Sequence, residues 1–187
     1  MAVDSDLLAA VDACPRSAWS GTVYRHTAPH RDPLSTIGAQ LNGGRWNPKD
    51  LFGALYLADS QETCQAEFER MAESQGLSPA DFLPRDLHVL EVSGLVVLDL
   101  RDPSIRARIG LSDAILSADG WKPCQDVAAA AHFLGFGGIV APSATGTGFV
   151  VAAFDGRSRL GQVRLVRTES LSIELAPLTP DGPEMRT

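Results

Sequence analysis

The tightest constraint on the fold comes from three short, uninterrupted apolar runs, each bounded by glycine, proline or a charged residue. They are residues 53–58 (GALYLA), 138–141 (GIVA) and 148–154 (GFVVAAF). Their length suits strands, and the lack of polar residues at alternate positions predicts strands buried on both faces. Further strands are expected at 21–25, at 86–92 and 95–100 joined by a turn at Ser93-Gly94, and at 163–166 as an arginine-bearing edge. Helical spacing appears at 5–13, from Ser60 down to Gly76, after Ser78-Pro79, at 103–109 and in the Ala-rich stretch 125–134. Strands outnumber long helices and do not alternate regularly with them, so the expected class is α+β. The segment 27–44 is rich in Pro, Gly and polar residues and reads as a long loop, a feature that compact domains reserve mainly for function. No internal repeat or linker divides the chain, so a single domain is expected over 1–176, with the Pro-rich residues 177–187 as a loose tail.

Composition narrows the partners. The 187 residues are 44% hydrophobic, enough for a core without metal or disulfide staples. Sixteen Lys and Arg against 23 Asp and Glu leave a formal charge of −7. That balance gives no general attraction to nucleic acid or anionic membrane, so a phosphate-bearing ligand must be met by local arginines. Cys14, Cys64 and Cys124 are odd in number and widely spaced, which fits neither a disulfide framework nor a zinc site. The acidic N-terminal segment has no signal-peptide character, and no apolar window reaches bilayer length. These features together predict a cytoplasmic protein.

Several enzyme classes lose support. There is no phosphate-binding G-x-x-x-x-G-K-[ST], no G-x-G-x-x-G, no H-E-x-x-H and no G-x-S-x-G. His26 and His30 are close in sequence but lie in or after a strand, where their spacing makes no ligand pair, so no metal site is expected. The helix after Ser60 says more. At about 100° per residue, Glu62, Glu69 and Glu73 fall opposite the Cys64/Phe68/Met71 stripe, whereas Glu67 falls at the margin of the buried face. A carboxylate there needs a positive or hydrogen-bonding neighbour. It is either a core ion pair with an arginine or a functional acid. Two segments, Tyr24-Arg25 and Gly43-Gly44-Arg45-Trp46-Asn47-Pro48, set a guanidinium beside an aromatic ring. Each reads as a structural strand or turn or as a phosphate and stacking site.

The stretches VYRHT, GGRWNP, ALYLADSQETCQAE and VAPSA, taken in order from Tyr24 to Ala144, resemble the RES-domain family, named for its Arg, Glu and Ser. GGRWN followed by LY, with Glu67 eleven residues beyond Tyr56, is the most specific part of the match. The overall look is closest to mycobacterial toxins of the family that degrade NAD by phosphorolysis. The resemblance implies an ADP-ribosyltransferase-like fold: a split, curved β core with flanking helices and an NAD cleft between. It maps Arg25, Glu67 and Ser143 onto the three family positions. Arg45 and Tyr56 match other motif positions lining the cleft, with Tyr24, His26 and Trp46 as substrate-binding neighbours. Ser143, in a Pro-Ser-Ala turn, also reads as a local backbone cap.

The residue types suit the chemistry that the family implies. Breaking the nicotinamide–ribose bond makes the ribose oxocarbenium-like while nicotinamide departs neutral, so a carboxylate at the ribose is needed and a general acid is not. Glu67 would supply it, Arg25 and Arg45 would meet the pyrophosphate, and Tyr56 or Trp46 would stack on nicotinamide or present a hydroxyl. Ser143 would hydrogen-bond a ribose or carboxamide group. NAD is then a substrate and no cofactor is required. Phosphate as acceptor would give a phosphorylase, with Arg45 or Arg31 supplying the extra positive charge; water would give a glycohydrolase. A protein acceptor would give an ADP-ribosyltransferase, and a cleft without turnover would give a binding module. Phosphorolysis is favoured by the resemblance, with protein ADP-ribosylation next. The resemblance also implies a toxin held as a hetero-oligomer by a cognate antitoxin, with an Xre-like DNA-binding part, that blocks the cleft. The toxin itself would touch no DNA.

Overall fold

The computed structural model describes residues 4–157 and 161–170. In chain order the elements are α1 (Ser5–Asp12), β1 (Ser17–Thr27), α2 (Ile37–Asn42), β2 (Ala54–Ala58) and α3 (Gln61–Ser74). A 3-10 turn (Pro79–Phe82) leads into β3 (Asp86–Asp99), α4 (Pro103–Arg108), α5 (Asp113–Ser117) and α6 (Lys122–Phe133). The last three strands are β4 (Gly138–Pro142), β5 (Phe149–Phe154) and β6 (Val163–Ser170).

The strand order is β1-β2-β5-β4-β3-β6, and β1 also pairs along most of its length with β3. The first five strands therefore close into a curled, barrel-like ring with β6 on its outside. The ring is nearly split at one seam, because β1 and β2 pair only through Tyr24 and Ala58. Only β3 and β4 run parallel; the other pairings are antiparallel. This is the expected α+β class, with a split, curved core.

The three apolar runs form β2, β4 and β5, and their side chains alternate between two cores. Leu55, Leu57, Val140, Val151 and Ala153 point into the curl with Val23, Leu90 and Val97. Ala54, Ile139, Ala141, Ala152 and Phe154 point outward beneath α1 and α6, against Val11, Cys124, Val127 and Ala128. Each face of these strands is thus covered, which is why no polar alternation survives in their sequence.

Four expectations change. The strands expected at 86–92 and 95–100 are one continuous β3 of 14 residues. Ser93-Gly94 is an irregularity opposite the register shift between Trp19 and Gly21 of β1, so its turn chemistry serves a bend and not a hairpin. The loop 27–44 contains the short helix α2, and α6 begins at Lys122 with Pro123 in its first turn. Finally, Met71 is only half-buried; the buried face of α3 is Thr63, Cys64, Phe68 and Ala72. The expected tail at 177–187 lies outside the described residues. Among the described residues, all three cysteines are free and buried, and no helix is long and apolar enough to cross a membrane.

Candidate active site

The seam between β1 and β2 opens into a cavity of about 250 Å³. Its lining comes from Tyr24, Arg25 and His26 of β1, Tyr56 to Ala58 of β2, Cys64 and Glu67 of α3, and Val150 of β5. Two strands that barely pair leave a gap, and α3 closes its far side. Ser60 starts that helix by accepting from the Thr63 N–H at 3.1 Å, and Phe68 anchors it fully buried.

Glu67 sits half-buried on the cavity wall. Its Oε1 accepts a 2.6 Å hydrogen bond from the Ser143 hydroxyl, and among the described residues no Lys or Arg lies within ion-pairing distance of it. The core ion pair that burial suggested is absent, and a neutral donor takes its place. Ser143, 6% exposed, makes the local backbone cap read from its sequence, its Oγ accepting from the Thr145 N–H at 3.1 Å, and it also reaches Glu67.

Arg25 lines the same cavity and orders the loop that follows β1. Its Nη1 donates to the Pro33 carbonyl at 2.8 Å and its Nη2 to the Ser35 carbonyl at 3.0 Å. Burial lowers its pKa, opposed by Asp32. The imidazole of His26 accepts at Nδ1 from Arg85 Nε at 2.7 Å and packs on the Phe68 ring at 4.5 Å. Burial drives its pKa down to about 3, helped by the Arg85 and Arg25 charges, so it is a neutral ring with its proton on Nε2. Burial pushes the Cys64 thiol up to about 12, which removes it as a nucleophile at neutral pH.

The GGRWNP segment lies elsewhere than expected. Trp46 is 1% exposed and belongs to the core beneath α6, so it does not line the cleft. Tyr56 presents its ring to the cavity, but its hydroxyl donates to Asn47 Oδ1 and accepts from the Trp46 N–H, each at 2.8 Å, and is not offered to a ligand. Burial raises that phenol well above its usual range. Arg45 stands behind Tyr56 and outside the cavity lining, with both Nη atoms sealed from solvent. Its charge acts on the Cys124 thiol, lowering that pKa against the larger effect of burial, without good hydrogen-bond geometry. The cause is a turn folded inward: Gln125 Nε2 donates to the Gly44 carbonyl at 2.9 Å, and Asn47 Nδ2 bonds the Ala39 and Phe52 carbonyls. Gly44 permits this approach, since a Cβ there would lie 2.4 Å from Tyr56 Oη.

Sequence reasoning did not single out Arg85, which sets the His26 tautomer, or Thr145, which contacts Ser143. It also missed a second groove that shares Glu67 and is lined by Arg70, Met71, Asp119 and Trp121. Clustered Ser and Thr in PSATGTG was the available signal for Thr145; nothing local marked the others. Among the described residues no group of three or more His, Cys, Asp or Glu converges as a metal site would require.

The RES domain matches residues 22–174. The chain is 42% identical over 178 residues to proteins named NAD(+) phosphorylase MbcT in Mycobacterium tuberculosis and Mycobacterium bovis, covering 94% of each chain. It is 29% identical over 136 residues to the probable NAD(+) phosphorylase Rv3189 of Mycobacterium tuberculosis, covering 72% of this chain and 64% of that protein. Its fold superposes on a chain in the crystal structure of the Mycobacterium tuberculosis MbcT–MbcA toxin–antitoxin complex with a TM-score of 0.85, covering 91% of this chain and 94% of that one. With residues 22–174 matched, most of its length, the chain belongs to the RES-domain family.

Proposed function

We infer that this protein is an NAD-degrading toxin that cleaves the nicotinamide–ribose bond and passes the ADP-ribosyl group to inorganic phosphate. The observation that carries the reading is the Glu67 carboxylate. It is held by Ser143, is free of an ion-pair partner among the described residues, and shares a cavity with Arg25. An acid already paired to a cation would have its charge spent. One held by a hydroxyl keeps that charge for the ribose as positive character grows there. The full-length likeness to proteins named NAD(+) phosphorylases supports the same substrate and acceptor.

In the reaction the C1″–N bond breaks and its electron pair passes to the pyridinium nitrogen, so nicotinamide leaves neutral. A phosphate oxygen lone pair then forms the new bond to C1″, giving ADP-ribose 1″-phosphate. The cavity suits the nicotinamide riboside end, with the Tyr24 and Tyr56 rings as its apolar walls. In this reading the Arg25 guanidinium, which lines the cavity, meets the anionic partners, and Arg31, exposed on the loop that Arg25 anchors, supplies the extra positive charge. Residues 1–176 act as one unit in this reading. Its restraint is an Xre-like antitoxin that covers the cavity in a hetero-oligomer, in keeping with the toxin–antitoxin complex of the similar structure.

Product analysis of NAD incubated with the protein, with and without phosphate, tests the reading. Nicotinamide together with ADP-ribose 1″-phosphate, formed only when phosphate is present, is expected. Free ADP-ribose without phosphate would make the enzyme a glycohydrolase, and label retained on protein would make it an ADP-ribosyltransferase. No nicotinamide under any condition would remove the reading altogether.

A further inference from the structure

A hydroxyl offers one proton and two acceptor positions, and at Ser143 the surroundings assign all of them. The backbone N–H of Thr145, which can only donate, points at Ser143 Oγ from 3.1 Å. The Glu67 carboxylate, which can only accept, lies 2.6 Å away and takes the single proton of Ser143. The remaining contact, Thr145 Oγ1 at 2.7 Å, must then run from Thr145 to Ser143. Thr145 Oγ1 in turn accepts from the Thr147 N–H at 3.3 Å. The result is a one-way chain from Thr147 N–H through Thr145 and Ser143 to Glu67. The turn that carries it is pinned to α3 by the Thr63 hydroxyl, which donates to the Thr147 carbonyl at 3.3 Å.

We propose that Thr145 is a positioning residue for the reaction: its hydroxyl fills the last acceptor position of Ser143 and so commits the Ser143 proton to Glu67. Without it, that position of Ser143 Oγ is open to water, and its rotor gains competing orientations. A carboxylate with Oε1 tethered and Oε2 free of protein partners among the described residues is preoriented toward the cavity. The stretches that carry the family resemblance end at Ala144; the arrangement extends further, to Thr145 and Thr147, in a turn that reads as ordinary loop. The inference rests on the reading of Glu67 as the acid that serves the ribose.

The test compares Thr145→Val, which keeps the shape and loses the hydroxyl, with Thr145→Ser, which keeps the hydroxyl. Both are made in the wild-type and Ser143→Ala backgrounds, and kcat and KM for nicotinamide release are measured alongside thermal melting. Loss of one well-oriented hydrogen bond predicts a kcat about tenfold lower in Thr145→Val. The KM should stay within about twofold, Thr145→Ser should recover most of the rate, and Thr145→Val should add nothing to Ser143→Ala. Wild-type kcat in Thr145→Val, failure of Thr145→Ser to recover the rate, or an undiminished effect in the Ser143→Ala background would each overturn the proposal. Wild-type protein that releases no nicotinamide would instead overturn the functional reading on which it rests, and the proposal with it.

Discussion

The turn between β4 and β5 carries Ser143, so its seating on α3 is open to a controlled perturbation. Gly148 has φ +60°, and a Cβ there would lie 2.2 Å from Thr63 Oγ1 and 2.4 Å and 2.8 Å from the two Asp59 carboxylate oxygens. Those two side chains are the clamps of the turn: Thr63 holds the Thr147 carbonyl, and Asp59 Oδ1 accepts from the Phe149 N–H at 3.1 Å. Gly148→Ala therefore incurs about 1–2 kcal/mol for left-handed backbone. It also breaks one neutral and one charged hydrogen bond, worth roughly 2–4 kcal/mol together. Gly146 provides the control, because its φ is +81° but nothing lies within 4 Å of its Cβ position. Gly146→Ala should lose only the backbone part, a few degrees of melting temperature, whereas Gly148→Ala should lose on the order of 10 °C or more. Gly148→Ala should also lose NAD turnover at temperatures where it remains folded, since displacing the turn withdraws Ser143 from Glu67. Equal melting temperatures for the two variants would refute the claim that Asp59 and Thr63 seat the turn.

Two further outcomes follow from the same geometry. Glu67→Gln preserves an acceptor for the Ser143 hydroxyl but removes the charge, so kcat should fall by roughly 10²–10³-fold with melting temperature almost unchanged; near-wild-type rates would show that the charge at this position does not serve the reaction. For His26, a folded pKa near 3 against an ordinary 6.5 means that the unfolded chain binds the extra proton. Stability is complete above pH 6.5 and declines as pH falls toward 3, by up to about 1.4 kcal/mol per pH unit. Urea unfolding at pH 7, 6 and 5 should show a shallower acid slope in His26→Gln, and identical slopes would contradict the buried neutral ring.

The parts of the site that were readable share a property: their signal is local. Helical angle alone sets Glu67 apart from Glu62, Glu69 and Glu73; the structure exposes Glu62 and Glu73 but half-buries Glu69 along with Glu67, so the angle separated two of the three. The GGRWNP segment failed by the same measure. Two glycines, an arginine and an aromatic ring look the same whether the turn faces a ligand or the interior. Asn47, Gln125 and the Tyr56 hydroxyl turn it inward, and the last two come from elsewhere in the chain. Ser93-Gly94 misled in a similar way, since hairpin chemistry and a bend within one long strand use the same residues.

Apolar patterning dictated which segments become doubly covered strands, because a strand buried on both faces has nowhere to place a polar side chain. The run of motifs from Tyr24 to Ala144 likewise marked the family. Long-range pairing alone decided that β1 and β2 meet at a single residue pair, leaving the gap that becomes the cavity. It also decided that Ser143, 76 positions away along the chain, gives its proton to Glu67. Register and closure depend on contacts between distant segments, and no window of sequence contains both partners of such a contact.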